Sequence, residues 1–313
     1  MRTLLVNKPG VLTTVQDLGR PGFGVMGISP SGAADSVSLR IGNRLVGNPE
    51  NAAALEMTLF GGEFQFSAGT VVAVTGSNFG PSLGSHGIPL YHSVSVPAGQ
   101  KIEFGLTHLG ARCYLCVQGG IDVKEFLGSR STHLLSGLGG HEGRALRKGD
   151  VLNIGKPLEN FRHRRLSGQG HANLVPRKIF RITEGPQWAV FPEAAKKLFF
   201  EQPYQVTEET NRMGIRLLGQ PLDSNSQGEM ITEGVSLGAI QITPSGQPVI
   251  LFVEQQTTGG YPKLANVIAA DLARLGQLRP RDEIYFELVT LDSARASLLR
   301  LEQYLTSSDL IQE

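Results

Sequence analysis

Short apolar runs that end in glycine-rich turns dominate the first half of the chain. Residues 71–74, 94–96 and 114–117 are apolar or alternate with small polar residues, and each run is followed by a segment rich in Gly, Pro, Ser or Asn. Glycine supplies the positive φ that tight turns require. The pattern therefore predicts short strands joined by tight turns.

One segment with helical periodicity lies between these predicted strands. Between Asp35 and Val46, apolar residues recur every four positions, namely Val37, Ile41 and Leu45. This spacing places them on one face of a helix. Asp35 or Ser36 can cap the start, and Gly47 followed by Asn48-Pro49 is typical of a stop.

The second half begins again with strand-like sequence at 179–182, and residues 249–253 form an unbroken apolar run typical of a buried strand. A short helix is expected after Pro192. A second is expected over 263–275, where the apolar positions are Leu264, Ile268, Leu272 and Leu275. A third is expected near the end, with Asp292 as its N-cap and an apolar face made of Ala294, Leu298, Leu301 and Leu305.

These elements predict a mainly β protein with a few short helices and barrel-like or sandwich architecture. A doubly wound parallel sheet is not expected, because strands and long helices do not alternate. Residues 156–176 are polar and basic, which favours a connection between two lobes; a basic arm that binds an anion is the alternative. The predicted segments are an N-terminal β-rich lobe over 1–160, a C-terminal lobe over 177–290 and a C-terminal helix over 291–313.

Composition narrows the class of protein further. Hydrophobic residues make up 40% and charged residues 18%, which is a globular balance, and the net charge of +1 gives no general attraction to nucleic acid or membrane. No stretch approaches the roughly 18 apolar residues that span a bilayer, and the start has no apolar core typical of a signal peptide. With only two cysteines, these features favour the cytoplasm. Cys113 and Cys116 stand in strand-like sequence, which favours packing over zinc or redox chemistry.

Two polar segments of the first half are candidates for chemistry. Gln16, Asp17 and Arg20 stand close together on a glycine-containing loop, where Arg20 could hold a substrate carboxylate or phosphate. The alternative is an Asp17–Arg20 pair that braces a turn. Hydroxyl and guanidinium side chains alternate at Ser129, Arg130 and Ser131, which suggests a nest for a phosphate, although the spacing is not that of a Walker A loop. At 31–35 a helix start could bind an anion, but capping by Asp35 is the favoured interpretation.

The second half offers two more segments. In an extended chain, Arg212 and Arg216 would share one side and could clamp a carboxylate; the alternative is a pair of surface arginines. The densest polar stretch runs from Glu254 to Lys263, with candidate binding residues Gln256, Thr257, Thr258, Gly259, Gly260 and Tyr261. Lys263 is predicted at a helix start, where a bound anion would offset its unfavourable position. Asp17, Glu254 and Lys263 are the candidate catalytic residues. The histidines show no metal-binding spacing.

Together these segments resemble one family. The stretches TTVQDLGRPGFG, SPSGAADSVSLRIGNRLVGNP, YLCVQGGIDVKEFLGSRST, NRMGIRL and VEQQTTGGYPKLANVIAADLARLGQLRP are similar, in order, to the allophanate hydrolase subunit 2 family, also called the biotin-dependent carboxyltransferase family. The resemblance runs from about Leu4 to Phe286. Glu254-Gln255 stands where the family is expected to have Asp-Arg, and Asn211 where Asp is expected, which weakens the transfer of charged roles to those positions.

The resemblance implies a cyclophilin-like β-barrel and a partner of the allophanate hydrolase subunit 1 type. It implies one of three settings. The first is an ATP-dependent 5-oxoprolinase, in which this subunit acts with subunits A and B, with ATP and Mg²⁺ shared with the partner. The second is carboxyl transfer to urea, and the third is antagonism of a kinase inhibitor. No Met-Lys-Met sequence for biotin attachment occurs, so covalent biotin is not expected, and a stand-alone chain favours the first setting. From their polar and glycine content, we expect the 16–20, 212–216 and 256–263 segments to converge on one cleft, with 128–132 near its rim.

Overall fold

The computed structural model describes residues 2–168, 170, 178–224 and 230–313. Clustering of contacts divides the chain into two compact units. The first comprises Met1–Arg20, Ser31–Val175 and Leu305–Glu313, and the second comprises Pro21–Pro30 and Pro176–Tyr304. The predicted connection over 156–176 lies partly outside the described residues. Among the described residues, no helix is long and apolar enough to cross a membrane.

The first unit is built from two large sheets and a short pair of strands, β13 (Arg165–Leu166) and β23 (Ile311–Gln312). Its first thirteen strands are β1 Arg2–Lys8, β2 Leu12–Gln16, β3 Ala54–Thr58, β4 Glu63–Phe66, β5 Thr70–Gly76, β6 Ser82–Leu83, β7 His86–Gly87, β8 Ser93–Val96, β9 Lys101–Glu103, β10 Arg112–Val117, β11 Ile121–Asp122, β12 Val151–Ile154 and β13 Arg165–Leu166. One sheet has the order β11-β12-β1-β4-β9-β6-β7, and the other has the order β2-β3-β10-β5-β8.

The core of this unit draws buried side chains from both sheets. Leu4 and Phe64 come from the seven-stranded sheet, and Met57, Cys113 and Leu115 come from the five-stranded sheet. Because successive residues of a strand point to opposite faces, Cys116 lies on the other side of β10. There its Sγ is 3.8 Å from the Leu39 carbonyl oxygen of helix α1, Ser36–Leu45. Both cysteines are buried and free, as packing roles predict.

Helix α1 is capped as predicted, since Asp35 Oδ1 accepts a hydrogen bond of 2.9 Å from the Ser38 N–H. The helix lies close against the five-stranded sheet because Gly42 has no side chain. A Cβ on Gly42 would be 2.6 Å from Cys116 Sγ and 2.9 Å from Thr75 Oγ1. Only glycine at position 42 therefore allows the helix to lie this close to the sheet.

The second unit contains a closed barrel. The next nine strands are β14 Ile179–Glu184, β15 Tyr204–Val206, β16 Gly214–Leu218, β17 Glu233–Gly234, β18 Ala239–Ile242, β19 Pro248–Leu251, β20 Thr258–Gly259, β21 Lys263–Val267 and β22 Glu283–Leu288. The barrel order is β14-β21-β18-β19-β16-β15-β22, and the parallel pair β14–β22 closes it. β17 and β20 form a separate two-stranded ribbon. The predicted mainly β fold with a barrel and few short helices is confirmed.

The remaining helices are short except for the last. They are α2 Glu193–Glu201, α3 Leu272–Leu275 and α4 Leu291–Thr306. Phe199 of α2 stacks on Phe286 of β22 with ring centroids 4.7 Å apart, which anchors α2 to the barrel wall. After α4 the chain forms a further strand, β23 Ile311–Gln312, which pairs with β13 in the first unit.

Two predicted elements are wrong. The helix expected over 263–275 is mostly strand, because residues 263–267 pair with β18 and β14 inside the barrel, and only Leu272–Leu275 is α-helical. The expected N-cap Asp292 lies in the first turn of α4 instead. Thr290 precedes the helix, and its Oγ1 accepts a hydrogen bond of 3.2 Å from the Ser293 N–H. The last residues, 311–312, are strand rather than part of a C-terminal helix.

Candidate functional site

In the first unit, the predicted phosphate nest is filled by a carboxylate of the protein. Asp17 Oδ1 accepts hydrogen bonds from the hydroxyls of Ser129, at 2.6 Å, and Ser131, and Asp17 Oδ2 accepts the Arg130 N–H. Ser129 and Ser131 are completely buried. The loop does bind an anion, but that anion is the side chain of Asp17.

The backbone N–H groups of this loop are also in use. The Ser129 N–H donates to the Phe126 carbonyl oxygen at 3.2 Å, and the Ser131 N–H donates to Ser129 Oγ at 3.0 Å. The Thr132 N–H donates to the Val15 carbonyl oxygen at 2.9 Å. A phosphate needs N–H groups that point into an open concavity. The loop at 128–132 does not fit a phosphate in this structure.

The side chains of Arg20 and Gln16 likewise form hydrogen bonds within the protein. Arg20 is 1% exposed; its Nε donates to the Phe126 carbonyl oxygen at 3.3 Å and its Nη2 donates to that of Ser131. Gln16 Nε2 donates to the Thr132 carbonyl oxygen at 3.1 Å. The expectation that Arg20 meets a substrate carboxylate is wrong here, because its guanidinium is buried among carbonyl groups. Arg130 is partly exposed and pairs with Glu125 at 2.8 Å.

In the second unit, Arg212 and Arg216 do not share one side. Arg212 is 4% exposed, and its Nε donates to Oε1 of Glu254, which is 2% exposed. Arg216 has a side chain that is 52% exposed, 3.6 Å from Glu209. The predicted two-arginine clamp is wrong, because Arg212 precedes β16 and turns inward to meet Glu254. Glu254 is not an open general base for the same reason.

A row of polar side chains crosses the outer face of the barrel. Ile215, Ile240 and Ile250 pair with one another across β16, β19 and β18 and are almost fully buried. The next residues along these strands point to the opposite face. Arg216 pairs with Val249, and Val249 pairs with Gln241.

The row continues onto β21, where Gln241 pairs with Lys263 beside a β-bulge. We call Arg216, Val249, Gln241 and Lys263 the outer row. It brings together two predicted site residues, Arg216 and Lys263, that the sequence separates by nearly fifty positions.

Lys263 is 3% exposed and lies in an ionic cluster at the end of this row. Its Nζ is 2.5 Å from Glu233 Oε1 of β17, and its N–H donates to Gln187 Oε1 at 3.0 Å. Gln187 Nε2 donates to the same Glu233 oxygen at 2.7 Å. The hydrogen bonds from Lys263 and then Gln187 lower the pKa of the Glu233 carboxyl below its usual value. The ammonium group is thus paired with one carboxylate that stands at the surface.

Gln241 has an amide nitrogen without a hydrogen-bond partner in the described part of the chain. The residue is 2% exposed, and its Nε2 is buried with no hydrogen bond to any described residue. Buried polar groups are normally hydrogen-bonded. Sequence reasoning missed Gln241, although a single polar residue within the apolar strand 239–242 is the signal that could have found it.

The candidate loop before Lys263 lies over this amide. Gly259 of β20 pairs with Glu233 of β17. A Cβ on Gly259 would be 2.5 Å from Gln241 Nε2 and 2.8 Å from Gln256 Nε2. Thr258, Gly259 and Gln256 therefore lie beside the outer row, while Tyr261 is 45% exposed. A cleft shared by all four predicted segments would draw on both units and stays a prediction.

Comparison with known proteins identifies relatives over nearly the whole chain. The family model described as "Carboxyltransferase domain, subdomain A and B" matches residues 26–288. The C-type subunit of 5-oxoprolinase from Escherichia coli (strain K12) is 39% identical over 291 residues, which cover 93% of each protein. That of Haemophilus influenzae is 38% identical over 292 residues, again 93% of each. The crystal structure of the K. lactis urea amidolyase superposes with a TM-score of 0.92 at 32% identity, over 99% of this chain and 21% of that one.

Proposed function

This chain belongs to the carboxyltransferase domain family, and on that premise we propose that it is a subunit of an ATP-dependent 5-oxoprolinase. The complex would open 5-oxo-L-proline to L-glutamate together with subunits A and B. The observation that carries the proposal is the 39% identity to the C-type subunit of a 5-oxoprolinase over 93% of both chains. The match to urea amidolyase covers only 21% of that much longer chain.

The chemistry of the outer row suits such a substrate. 5-Oxoproline carries a carboxylate and a lactam carbonyl. Arg216 offers an accessible guanidinium, whose planar N–H groups match a carboxylate. Lys263 offers a cation held by Glu233, which could stabilise negative charge that develops on oxygen. Asp17 and Glu254 are buried against buried partners, whereas Lys263 pairs with a surface carboxylate and lies on the outer row, so Lys263 is the candidate catalytic residue that the proposal retains.

ATP enters the proposal as the second substrate, with Mg²⁺, at a site shared with the B-type partner. Its part would be to supply the phosphoryl group that activates the lactam. Catalysis of phosphoryl transfer rests on positioning and on charge stabilisation by cations. Arg216 and Lys263 have the right charge for this, whereas the loop at 128–132 is closed by Asp17. The same proposal places the complex in the cytoplasm.

Reconstitution tests this function. The chain is mixed with its A-type and B-type partners, and release of glutamate from 5-oxoproline is measured with and without ATP and with each chain omitted in turn. We expect ATP-dependent release only from the complete mixture. Full activity without this chain, or no activity in the complete mixture of folded subunits, would refute the proposal.

A carboxyltransferase function is the second candidate. The specific observation in its favour is the superposition on urea amidolyase over 99% of this chain. The test supplies the chain and its partner with unlabelled urea and with a biotin carrier whose carboxyl group carries the label. Transfer of label to urea, with no glutamate formed from 5-oxoproline, would favour this alternative.

A further inference from the structure

We propose that Gln241, together with Gln256 across Gly259, binds the carbonyl oxygen of a small lactam or amide on the outer face of the barrel. The ligand would extend along the outer row so that a carboxylate, where it carries one, meets Arg216. This inference deepens the proposed function by assigning where and how the substrate binds.

The first argument is the buried amide of Gln241. A primary amide has two N–H donors, and leaving them without a partner in the protein interior is unfavourable. Gln241 is 2% exposed, and its Nε2 forms no hydrogen bond within residues 2–168, 170, 178–224 and 230–313. A strand position that only needed filling could have carried an apolar residue, as its neighbours Ile240 and Ile242 do. A ligand oxygen would give the amide its missing acceptor.

The second argument is the convergence of two amides on one glycine. The place of a Cβ on Gly259 would lie 2.5 Å from Gln241 Nε2 and 2.8 Å from Gln256 Nε2. Any side chain here would displace both amides. Glycine thus leaves room for both amide nitrogens to lie against the same backbone position. A carbonyl oxygen has two lone pairs, so it can accept from two N–H donors at once.

The third argument is the spacing along the outer row. Arg216 and Gln241 lie two strands apart, with Val249 between them. Neighbouring strands are separated by about 4.8 Å, so the two Cα atoms are separated by roughly 10 Å. Their side chains can therefore reach the two ends of one small molecule. Val249, which is only partly buried, offers an apolar surface for the methylene groups of a lactam ring.

Lys263 completes the arrangement on the other side of Gln241. Its ammonium pairs with Glu233, and Lys263 itself lies opposite Gln241 on the next strand. A ligand carbonyl held by the two amides would stand beside this cation. The class of ligand that uses all of these groups is a five-membered lactam or short amide that bears a carboxylate.

The experiment compares two ligands and three variants in the reconstituted complex. The ligands are 5-oxoproline, as substrate, and 2-pyrrolidone, which keeps the lactam and lacks the carboxylate, as competitor. Gln241→Met keeps the side-chain length and removes the amide. We expect it to raise the KM for 5-oxoproline and the inhibition constant for 2-pyrrolidone by tenfold or more. Arg216→Ala should raise the KM for 5-oxoproline and leave inhibition by 2-pyrrolidone unchanged.

Gln118→Met is the matched control. Gln118 is 4% exposed, and its Nε2 also lacks a partner among the described residues, but it lies after β10 in the first unit. Both Met variants should keep or raise the thermal midpoint, since neither removes a hydrogen bond found here, and only Gln241→Met should change ligand affinity. An unchanged KM in Gln241→Met, or a lower thermal midpoint with unchanged affinity, would overturn the proposal.

A second measurement distinguishes a wrong proposed function from a wrong carbonyl-binding site. If the complete complex does not turn over 5-oxoproline, the full chain is titrated calorimetrically with 2-pyrrolidone. Binding that Gln241→Met abolishes and Gln118→Met preserves would support the carbonyl site even though the proposed function had failed. Absence of binding to the unchanged chain, or equal binding to both variants, would overturn the site.

Discussion

Ser129 Oγ donates a hydrogen bond of 2.6 Å to Asp17 Oδ1, joining two loops that stand more than one hundred positions apart. Asp17 also accepts from the Ser131 hydroxyl and the Arg130 N–H. Its carboxylate therefore acts as an internal anion that orders the loop at 129–131. This is a structural role, and it differs from the catalytic role that the sequence suggested.

We expect Asp17→Asn to destabilise the fold by roughly 2–3 kcal/mol, because it weakens hydrogen bonds to a charged group and leaves buried donors without acceptors. Urea unfolding measures this loss, with Asp122→Asn as the control because the Asp122 side chain is 56% exposed. Activity per folded molecule should stay within a few-fold of the original. A stable Asn variant that has lost turnover would show that Asp17 is catalytic after all.

Breaking the buried ion pair of Arg212 and Glu254 should lower the free energy of unfolding more than breaking an exposed ion pair. Arg212→Ala leaves the Glu254 carboxylate buried without this partner, so we expect a loss of about 3–5 kcal/mol in the free energy of unfolding. Arg216→Ala, four residues further along the chain in β16, is the control; its ion pair is exposed and should contribute less than about 1 kcal/mol. Equal losses in the two variants would contradict the buried pair.

The exposed Arg216 should matter for binding rather than for folding. If its guanidinium holds the substrate carboxylate, Arg216→Ala removes a charge-assisted hydrogen bond of about 1.5–3 kcal/mol, so kcat/KM should fall roughly ten- to hundredfold. Arg216→Lys should restore activity only in part, because an ammonium lacks the planar fork. Steady-state kinetics of the reconstituted complex measure this, with Arg281→Ala as an exposed control. Unchanged kinetics would exclude the role.

Stability of the first unit should depend on acid pH through Asp150. The hydrogen bond from Arg144 lowers the pKa of the Asp150 carboxyl to about 2 in the folded protein, below the unfolded value of about 3.9. The carboxylate therefore contributes stability above the unfolded pKa, and this contribution is lost as the pH falls from about 5 to about 2.

Asp150→Asn tests this in urea unfolding across that range. The variant should be less stable than the original protein at pH 6, and the difference should shrink as the pH falls through the folded pKa of about 2 and level off below it. Asp223→Asn, at an exposed position, gives the effect of removing a surface carboxylate. A difference for Asp150→Asn that stays constant with pH would contradict the lowered pKa.

The sequence by itself determined the elements whose signals are local. Helix α1 has its apolar period, its Asp35 cap and its Gly47 stop within thirteen residues, and all three lie where the pattern predicts them. The opposite orientation of Cys113 and Cys116 follows from strand geometry alone. The predominance of short strands, and with it the mainly β fold, likewise follows from closely spaced apolar runs and turns.

Tertiary structure decided that residues 263–267 form a strand and not a helix. Their apolar positions fit a helical period, yet β18 and β14 on either side supply backbone partners that the sequence does not reveal. The strand is buried on both faces, with Leu264 and Ala265 fully inaccessible. In such a strand the period of two is lost, so a helix and a buried strand cannot be distinguished by periodicity.

Tertiary structure also decided which polar residues remain open to a ligand. From the sequence alone, Arg20, Arg212 and Arg216 are equally good candidates for binding an anion. In the structure, Arg20 and Arg212 are buried against protein acceptors, and of the three only Arg216 is exposed. The sequence did not identify Gln241 as a candidate binding residue. Its proposed role depends on Gly259 and Gln256, which lie next to its amide nitrogen in space but come later in the chain. A polar side chain in a sequence shows what it can bind, whereas long-range contacts decide whether the protein already binds it.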